Sequence, residues 1–481
     1  MSLVKKIVPI PNKQLVLFIA LLLVSIIFSM AISFIGWKVG VGIILFIVAV
    51  PIAVKLLGNL KFGVVLILVF SFFLQGVNKF LPLPLGVLLD ALVGLMFLSL
   101  IVNKWRSLDF SVANDAISWV IILWISYNLL EVFNPYASIK AWVFVIRSLA
   151  GLMLFYFVVL RVVDTIRFFE ILIHLWVGLA LLGALYGLFQ EFNGLLPFEK
   201  KWVTAKELRF KLIFNWGRFR IFSFFSDPTV FGVLMAYTGL FCMTMLASPL
   251  KLFEKLYFGI AGILMLLAMI YAGTRTAYAM IAAGFVFYAI LTFKPGTIAL
   301  TGIFGLIMGL IVFTDISSLG PLGNNSLNRI RSAFSPGDDP SYQIREKSQE
   351  FIQPYIQTHP IGGGLGSVGI WGQKFSPGSF LSDFAPDSGY VRVAVELGWI
   401  GLLIYLAFFF VSLRRGIKNY FRIRNPRLKS YVGGLTTVVM SLTVGNWPQQ
   451  AVIQLPTMLL FYTFLAMLVK SKELDRTLTI K

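Results

Sequence analysis

Residues 296–314 read GTIALTGIFGLIMGLIVFT, a run without a charged side chain, and the next long apolar run is SGYVRVAVELGWIGLLIYLAFFFV at residues 388–411. Between them, residues 315–387 form the longest stretch of the chain that cannot lie in hydrocarbon. An apolar run of about 20 residues is long enough to cross a bilayer as a helix. The pattern therefore predicts membrane helices on either side of a large loop that lies outside the membrane.

Apolar runs of this kind recur along the whole chain. Hydrophobic residues make up 58% and charged residues 13% of the 481 residues, which is typical of a polytopic membrane protein. Fourteen runs predict fourteen transmembrane helices, near residues 15–36, 39–57, 62–80, 83–102, 112–132, 139–160, 166–190, 228–248, 256–273, 276–293, 296–314, 388–411, 430–447 and 450–469. The fold class predicted from the sequence is therefore an all-α polytopic membrane protein.

Lysine and arginine are distributed unevenly over the predicted connections. With the N-terminus in the cytoplasm, 23 basic residues fall at cytoplasmic connections and termini, and four fall at the short outer connections. Such an excess marks the cytoplasmic side, so the net charge of +20 reflects topology and not nucleic-acid binding. Counting helices then places residues 191–227, residues 315–387 and the tight Gly273-Thr274-Arg275 connection outside.

Four regions follow from this topology. Residues 1–190 contain helices one to seven, and residues 191–314 contain an external basic loop and helices eight to eleven. Residues 315–387 are the large external loop, and residues 388–481 contain helices twelve to fourteen. Basic residues in the two external segments suit a phosphate-bearing lipid headgroup, and they are equally typical of side chains that reach ordinary anionic lipid.

Within the large loop, Asp339-Pro340 predicts the start of a helix, because aspartate is a favoured N-cap and proline is favoured at the first helical position. Apolar residues then recur at spacings of three, four and seven, from Ile344 to Ile356. This spacing predicts an amphipathic helix that presents Arg345 to whatever is bound beneath it.

The glycine run from Gly364 to Gly369 formally matches the dinucleotide fingerprint G-x-G-x-x-G. That fingerprint needs a preceding strand in a βαβ unit, whereas this run follows the predicted amphipathic helix. We interpret it instead as a turn whose backbone N–H groups form an anion-binding nest. The single cysteine, Cys242, excludes a disulfide framework, and no metal-binding motif is present.

Several ionisable residues lie within or at the ends of predicted spans, where an unpaired charge is costly. Arg392 and Glu396 are four residues apart and are expected to neutralise each other, while His174 is expected to be a neutral, hydrogen-bonded core residue. Asp227 and Asp387 precede helices that re-enter the membrane and are predicted as N-caps. For Asp387 a second role stays open, since its carboxylate could also accept a proton from a substrate hydroxyl.

Four motifs, taken in order, resemble the O-antigen ligase and Wzy-type polymerase superfamily. They are Thr274-Arg275-Thr276 at an outer connection, a long loop with an Arg345-bearing helix, the run His359-Pro360-Ile361-Gly362-Gly363-Gly364, and Asp387-Ser388 followed by Tyr390, Glu396, Gly398 and Gly401. The resemblance covers roughly residues 200–405. The order of the motifs is more specific than any one of them.

The resemblance implies a GT-C-like enzyme in the bacterial inner membrane, with its active site facing the periplasm or exterior. Such an enzyme takes a glycan from an undecaprenyl-pyrophosphate carrier and joins it to a hydroxyl of an acceptor. The implied partners are an undecaprenyl-pyrophosphate-linked oligosaccharide and membrane lipid, with a chain-length regulator as a further candidate. No metal, cofactor or nucleic acid is expected.

The same resemblance implies roles for individual residues. Arg275 and Arg345 are expected to bind the pyrophosphate and to stabilise the charge that develops on it, because guanidinium groups bind phosphate oxygens bidentately. Arg218 and Arg220 are expected to be supporting phosphate contacts.

The acceptor hydroxyl needs a group that positions it or takes its proton. Asp387 is the first candidate and His359 the second.

One position bears on the choice between ligase and polymerase. Family ligases carry a histidine, then Asn, Ser or Gln, nine residues, a glycine, two residues and a glycine. Asp387-Ser388, with Gly398 and Gly401, keeps this frame with aspartate in place of the histidine. This departure favours a polysaccharide polymerase, with a ligase acting on a lipid or protein acceptor as the alternative. A transporter of lipid-linked sugar is less favoured, because the polar residues concentrate at the outer face and no internal repeat is evident.

Overall fold

The computed structural model describes residues 51, 55, 56, 58–80, 85–104, 113–215, 217–313 and 340–479. The chain divides into two compact units, Met1–Phe62 and Gly63–Lys481. In the first unit, the Lys55 ammonium lies 4.5 Å from the centroid of the Phe62 ring. The second unit carries the residues discussed below.

The described residues form sixteen α-helices and one short β-hairpin. The helices are α1 (Leu60–Phe80), α2 (Leu85–Lys104), α3 (Ala116–Leu130), α4 (Ile139–Val162), α5 (Ile166–Asn193), α6 (Pro197–Thr204), α7 (Glu207–Ile213), α8 (Pro228–Leu246), α9 (Leu252–Ala272), α10 (Arg275–Thr292), α11 (Pro295–Phe313), α12 (Pro340–Thr358), α13 (Gly369–Phe375), α14 (Gly389–Arg422), α15 (Pro426–Gly445) and α16 (Thr457–Thr479). The antiparallel hairpin pairs β1 (Phe214–Asn215) with β2 (Arg218–Phe219).

Nine of the described helices are long and apolar enough to cross a membrane, namely α1–α5, α8–α10 and α14. Helices α11, α15 and α16 coincide with three further predicted runs, so every run predicted from residue 62 onwards is a helix. The runs predicted at residues 15–36 and 39–57 lie outside the described residues, apart from residues 51, 55 and 56. The predicted all-α polytopic membrane fold is confirmed.

The last helix begins later than predicted. Apolar content placed its start near residue 450, but α16 begins at Thr457, and residues 451–456 form turns. Gln450, the residue before these turns, contacts the residues that precede α14, since its Nε2 donates to the Pro386 carbonyl at 2.5 Å. Hydropathy alone does not register such a contact.

Helix α8 lies at the centre of the second unit. Of its most apolar 18-residue stretch, 83% is buried. It packs against α5, α9, α10 and α15. At Gly232 it comes so close to the α9–α10 connection that a Cβ would lie 2.6 Å from Thr274 Oγ1. Thr274 Oγ1 in turn donates to the Pro228 carbonyl at 2.9 Å. The first turns of α8 and α10 are therefore fixed against each other.

Helix α12 begins at Pro340, as the sequence predicts, and is amphipathic. Its buried residue, Ile352, packs into a small apolar cluster together with Val368, Leu381, Phe384 and Val395. Because Val395 belongs to α14, this cluster holds the large loop on that helix. Arg345 lies on the same helix, seven residues before Ile352.

Helix α14 is interrupted at Gly398, where φ is 64° and ψ is −163°. The interruption leaves backbone groups without helical partners, and the preceding loop satisfies them. Three hydrogen bonds do so, from Gly363 N–H to Val395 O at 2.8 Å, from Gly364 N–H to Glu396 O at 2.8 Å, and from Trp399 N–H to Pro360 O at 2.9 Å. A side chain at Gly398 would collide with the Pro360 carbonyl, so the break requires glycine.

Candidate functional site

A cavity of about 440 Å³ opens where the first turn of α8, the α9–α10 connection, α12 and the start of α14 meet. Four cationic and two acidic side chains line it, namely Lys211, Arg220, Arg275 and Arg345 with Asp227 and Asp387. Positive charge therefore exceeds negative charge, and such a cavity attracts a polyanionic ligand. We call it the basic cavity.

Arg345 and Asp387 form an ion pair in the wall of the basic cavity. The distance from Arg345 Nε to Asp387 Oδ2 is 3.0 Å, and Asp387 remains 61% exposed. Arg275, at the start of α10, lines the same cavity as Arg345. Two guanidinium groups in the wall of one cavity are suited to bind a phosphate or pyrophosphate anion together.

This geometry agrees with what sequence comparison finds for the same part of the chain. Residues 260–406 match the O-antigen ligase family. The match spans 147 of the 481 residues, includes Arg275, Arg345 and Asp387, and confirms the resemblance inferred from the motifs. It supports a membrane protein that processes glycans as O-antigen ligases and polymerases do. None of the curated proteins matches the chain.

His359 lies within the matched residues 260–406 but does not line the basic cavity. Its Nδ1 lies 3.1 Å from the Tyr355 carbonyl oxygen and 2.9 Å from Thr358 Oγ1. Its ring stacks on Tyr355 with a centroid distance of 3.9 Å. Burial, with a smaller contribution from Tyr136, raises the pKa of Tyr355. The structure therefore places His359 in an aromatic cluster at the end of α12.

Arg220 lines the basic cavity and is 9% exposed. Its guanidinium donates to Ala272 O at 2.9 Å, to Gly273 O at 3.2 Å, to Thr274 Oγ1 at 3.3 Å and to Leu212 O at 3.3 Å. These acceptors belong mainly to the connection that carries Arg275. Arg220 is therefore well placed to position Arg275.

Arg218 lies outside the basic cavity. Its Nη1 is 3.0 Å from Glu191 Oε1 at the end of α5, and both side chains are largely buried. The structure thus separates the two neighbouring arginines that the sequence grouped as phosphate contacts.

The two predicted helix caps differ. Asp227 caps α8 as predicted, because its Oδ1 accepts the N–H groups of Thr229 at 2.8 Å and Val230 at 3.0 Å. The prediction for Asp387 is wrong, because α14 begins at Gly389 and its N-cap is Ser388.

The reason lies in what each side chain near the start of α14 contacts. Ser388 Oγ accepts the Val391 N–H at 3.4 Å, whereas the Asp387 carboxylate lies one residue earlier and turns to Arg345. The structure therefore leaves Asp387 in the basic cavity without a capping role.

The anion-binding nest stays a prediction for the glycine run, residues 364–369, in which the Gly366 N–H is hydrogen-bonded to the Glu396 carboxylate. Other amides of the run and of the two glycines before it donate to carbonyl groups, from Gly362 to His359, from Gly363 to Val395, from Gly364 to Glu396 and from Gly369 to Phe384. The residues before the run form α12 and turns and not a strand, which agrees with the rejection of the dinucleotide fingerprint. The run instead closes the break in α14.

Two pairs of ionisable side chains in the described spans form ion pairs. Arg392 Nε lies 3.3 Å from Glu396 Oε2, as the four-residue spacing predicted. Arg147 Nε lies 2.9 Å from Asp90 Oδ2. The hydrogen bond predicted for His174 is present, since its Nδ1 lies 2.8 Å from the Glu170 carbonyl oxygen, although the side chain is half-buried and not in the core.

Sequence reasoning missed three glutamines of the basic cavity, Gln449, Gln450 and Gln454. Gln450 Oε1 accepts a hydrogen bond from Arg392 Nη1 at 2.9 Å. The signal was present in the sequence, because these three amides interrupt or flank an apolar run that was predicted as a plain membrane span.

Proposed function

We propose that this protein is a polysaccharide polymerase that joins undecaprenyl-pyrophosphate-linked glycan units at the outer face of the bacterial inner membrane. The observation that carries the proposal is the convergence of Arg275 and Arg345 in a cavity with an excess of positive charge. A pyrophosphate leaving group gains negative charge as the glycosidic bond breaks. Guanidinium donors already placed at its oxygens stabilise that charge without further rearrangement.

In the proposed reaction, the oxygen of an acceptor hydroxyl forms a bond to the anomeric carbon of the donor sugar. The bond from that carbon to the carrier phosphate breaks, and its electron pair stays on the pyrophosphate. The hydroxyl proton passes to the Asp387 carboxylate. Pyrophosphate binding competes with Asp387 for Arg345, which leaves the carboxylate available as a base.

The distribution of charge along α14 supports an external position for the basic cavity. The part of α14 after the break at Gly398, residues 399–422, has 24 residues, which at about 1.5 Å per residue is roughly 36 Å, enough to cross the hydrocarbon core of a bilayer. Asp387 precedes one end of α14, and Arg414, Arg415, Lys418 and Arg422 lie towards the other. Under the positive-inside rule the basic end is cytoplasmic, so the basic cavity faces the exterior.

The proposal is tested by reconstituting the protein into liposomes with lipid-linked glycan extracted from the source organism. We expect a ladder of lipid-linked multimers, resolved by length on a gel. Arg345→Ala should abolish the ladder. The matched control Arg218→Ala, an arginine outside the basic cavity, should retain it. A wild-type protein that forms neither multimers nor any transfer product contradicts a transferase function.

A second candidate is favoured by the matched family itself, which is described as O-antigen ligase. A ligase would attach one finished glycan to a different lipid or to a protein acceptor. The same reconstitution, supplied with membrane lipids as acceptors, separates the two functions. A single product of fixed size on a new acceptor favours the ligase over the polymerase.

A further inference from the structure

A second cavity of about 400 Å³ lies between α1, α2, α4, α13 and the start of α14. Its size is within the range of small-ligand pockets, about 300–1,000 Å³. Its polar lining includes Gln75, Asp90, Arg147, Ser148, Arg392 and Gln454, and the ring of Trp371 forms part of its wall. We call it the neutral cavity.

Two arginines, Arg147 and Arg392, and two aspartates, Asp90 and Asp227, line the neutral cavity, so its lining carries no excess positive charge. Arg147 is paired with Asp90 at 2.9 Å, and Arg392 is paired with Glu396 at 3.3 Å. Each guanidinium thus has its own carboxylate partner, and no excess positive charge is offered to a phosphate. Two ion pairs would also be a poor surface for a hydrocarbon chain, because burial against it would remove their contact with water. A neutral ligand rich in hydroxyl groups fits both constraints.

Trp371 supplies an aromatic surface on which such a ligand can pack. Its ring stacks on Phe144 with a centroid distance of 5.2 Å and lies nearly parallel to Phe375 at 5.9 Å. It is therefore held in place by neighbouring rings. The C–H face of a pyranose packs well against a flat aromatic surface, while amides, carboxylates and guanidinium groups hydrogen-bond the hydroxyls at the ring edge.

The two cavities adjoin. Asp227 and Gln454 line both of them. Arg392, in the wall of the neutral cavity, donates to Gln450, which lines the basic cavity. A sugar in the neutral cavity would therefore lie next to the place where we position the donor pyrophosphate.

We propose that the neutral cavity binds the terminal sugar of the acceptor glycan, with Trp371 against the sugar face and the Asp90–Arg147 pair at its hydroxyls. This assignment rests on the proposed transferase function for the identity of the ligand as an acceptor. The receiving hydroxyl lies towards Asp227 and Gln454, at the boundary with the basic cavity.

The test uses binding, so that it does not depend on turnover. One probe is the glycan released from the source organism's lipid-linked repeat unit, free of lipid and pyrophosphate. The other is undecaprenyl pyrophosphate without sugar. Affinities for the full-length protein in detergent are measured for each probe separately, for example by microscale thermophoresis.

We expect Trp371→Ala to weaken glycan binding at least tenfold and to change binding of undecaprenyl pyrophosphate less than twofold. Arg345→Ala should do the reverse. Trp371→Phe keeps an aromatic face and should retain glycan binding within about threefold, which separates a lost contact from a misfolded protein. Trp119→Ala, at an exposed tryptophan that lines neither cavity, is the matched control and should change neither affinity.

Three outcomes would overturn the inference. They are glycan binding that survives Trp371→Ala, glycan binding that is lost equally in Arg345→Ala, and a wild-type protein that does not bind the glycan. Loss of undecaprenyl pyrophosphate binding in Trp371→Ala would mean that the neutral cavity holds the carrier instead. If the glycan binds through Trp371 but the reconstituted protein forms no product, the sugar site stands and the transferase proposal fails.

Discussion

The basic cavity and the neutral cavity are of similar size and share Asp227 and Gln454. They differ in the ratio of cationic to acidic side chains in their linings. In the basic cavity, cations outnumber carboxylates, and two arginines from distant parts of the chain line the same wall. In the neutral cavity, each arginine has its own carboxylate. A cavity whose lining carries an excess of positive charge attracts an anionic ligand, whereas a lining with as many carboxylates as guanidinium groups does not.

The largest effect is expected from removing an arginine of the basic cavity. Arg275→Ala or Arg345→Ala should lower the rate of glycan transfer by about 10²–10³-fold, the loss seen when one donor to a developing anion is removed. The initial rate of product formation in proteoliposomes measures this.

Protein yield and elution volume should match the wild type in both variants, because neither arginine belongs to an apolar cluster. Full activity in either variant would contradict the assignment of the basic cavity to pyrophosphate.

Asp387→Asn should have the next largest effect on the rate. Asparagine has nearly the same size but cannot take the hydroxyl proton, and loss of a general base typically costs about 10²-fold or more. The rate constant at saturating donor measures the change. Since Ser388 is the cap of α14, thermal stability should be unaffected. An unchanged rate would leave Asp387 only as the partner of Arg345.

Asp90→Asn probes the balance of the neutral cavity. It removes the carboxylate partner of Arg147, and we expect a loss of about 1–3 kcal/mol in the free energy of unfolding, as for other charged groups left without a partner. Thermal denaturation in detergent measures this.

The double variant Asp90→Asn/Arg147→Gln removes both charges and should recover most of the lost stability. Additive losses in the double variant would show that the two side chains are not coupled.

Arg218→Ala should have the smallest effect on transfer, less than about threefold. Arg218 is paired with Glu191 and lies outside the basic cavity, so its removal should not weaken pyrophosphate binding. The apparent KM for the lipid-linked donor measures this directly. A KM that rises as much as in Arg345→Ala would show that Arg218 does contact the donor phosphate.

Much of the fold could be predicted from the sequence, because a membrane helix is a local property of the chain. Twenty consecutive apolar residues form one wherever they occur. The predicted starts of α8 and α12 were correct for the same reason, since capping residues and prolines act within one turn of helix. Asp227 caps α8, and α12 begins at Pro340. The start of α16 was predicted too early, because residues 451–456 are apolar enough to resemble a span but form turns.

The site was predicted less completely, because its members come from different helices. Family motifs drew attention to Arg275, Arg345 and Asp387, and all three line the basic cavity. They could not indicate that Arg345 and Asp387 form an ion pair, or that His359 lies in an aromatic cluster instead. A motif records which residues occur and in what order, and not which way their side chains turn.

The sequence by itself determined that this is a polytopic helical membrane protein and which residues resemble the O-antigen ligase family. Those features depend on the transfer of short segments between water and hydrocarbon and on local residue order. Only the tertiary structure decided that the glycine run closes a break in α14, that Arg220 holds the Arg275 connection, and that a charge-balanced cavity adjoins a basic one. Each of these depends on hydrogen bonds and ion pairs between residues far apart in the chain, whose partners are fixed only when the helices pack.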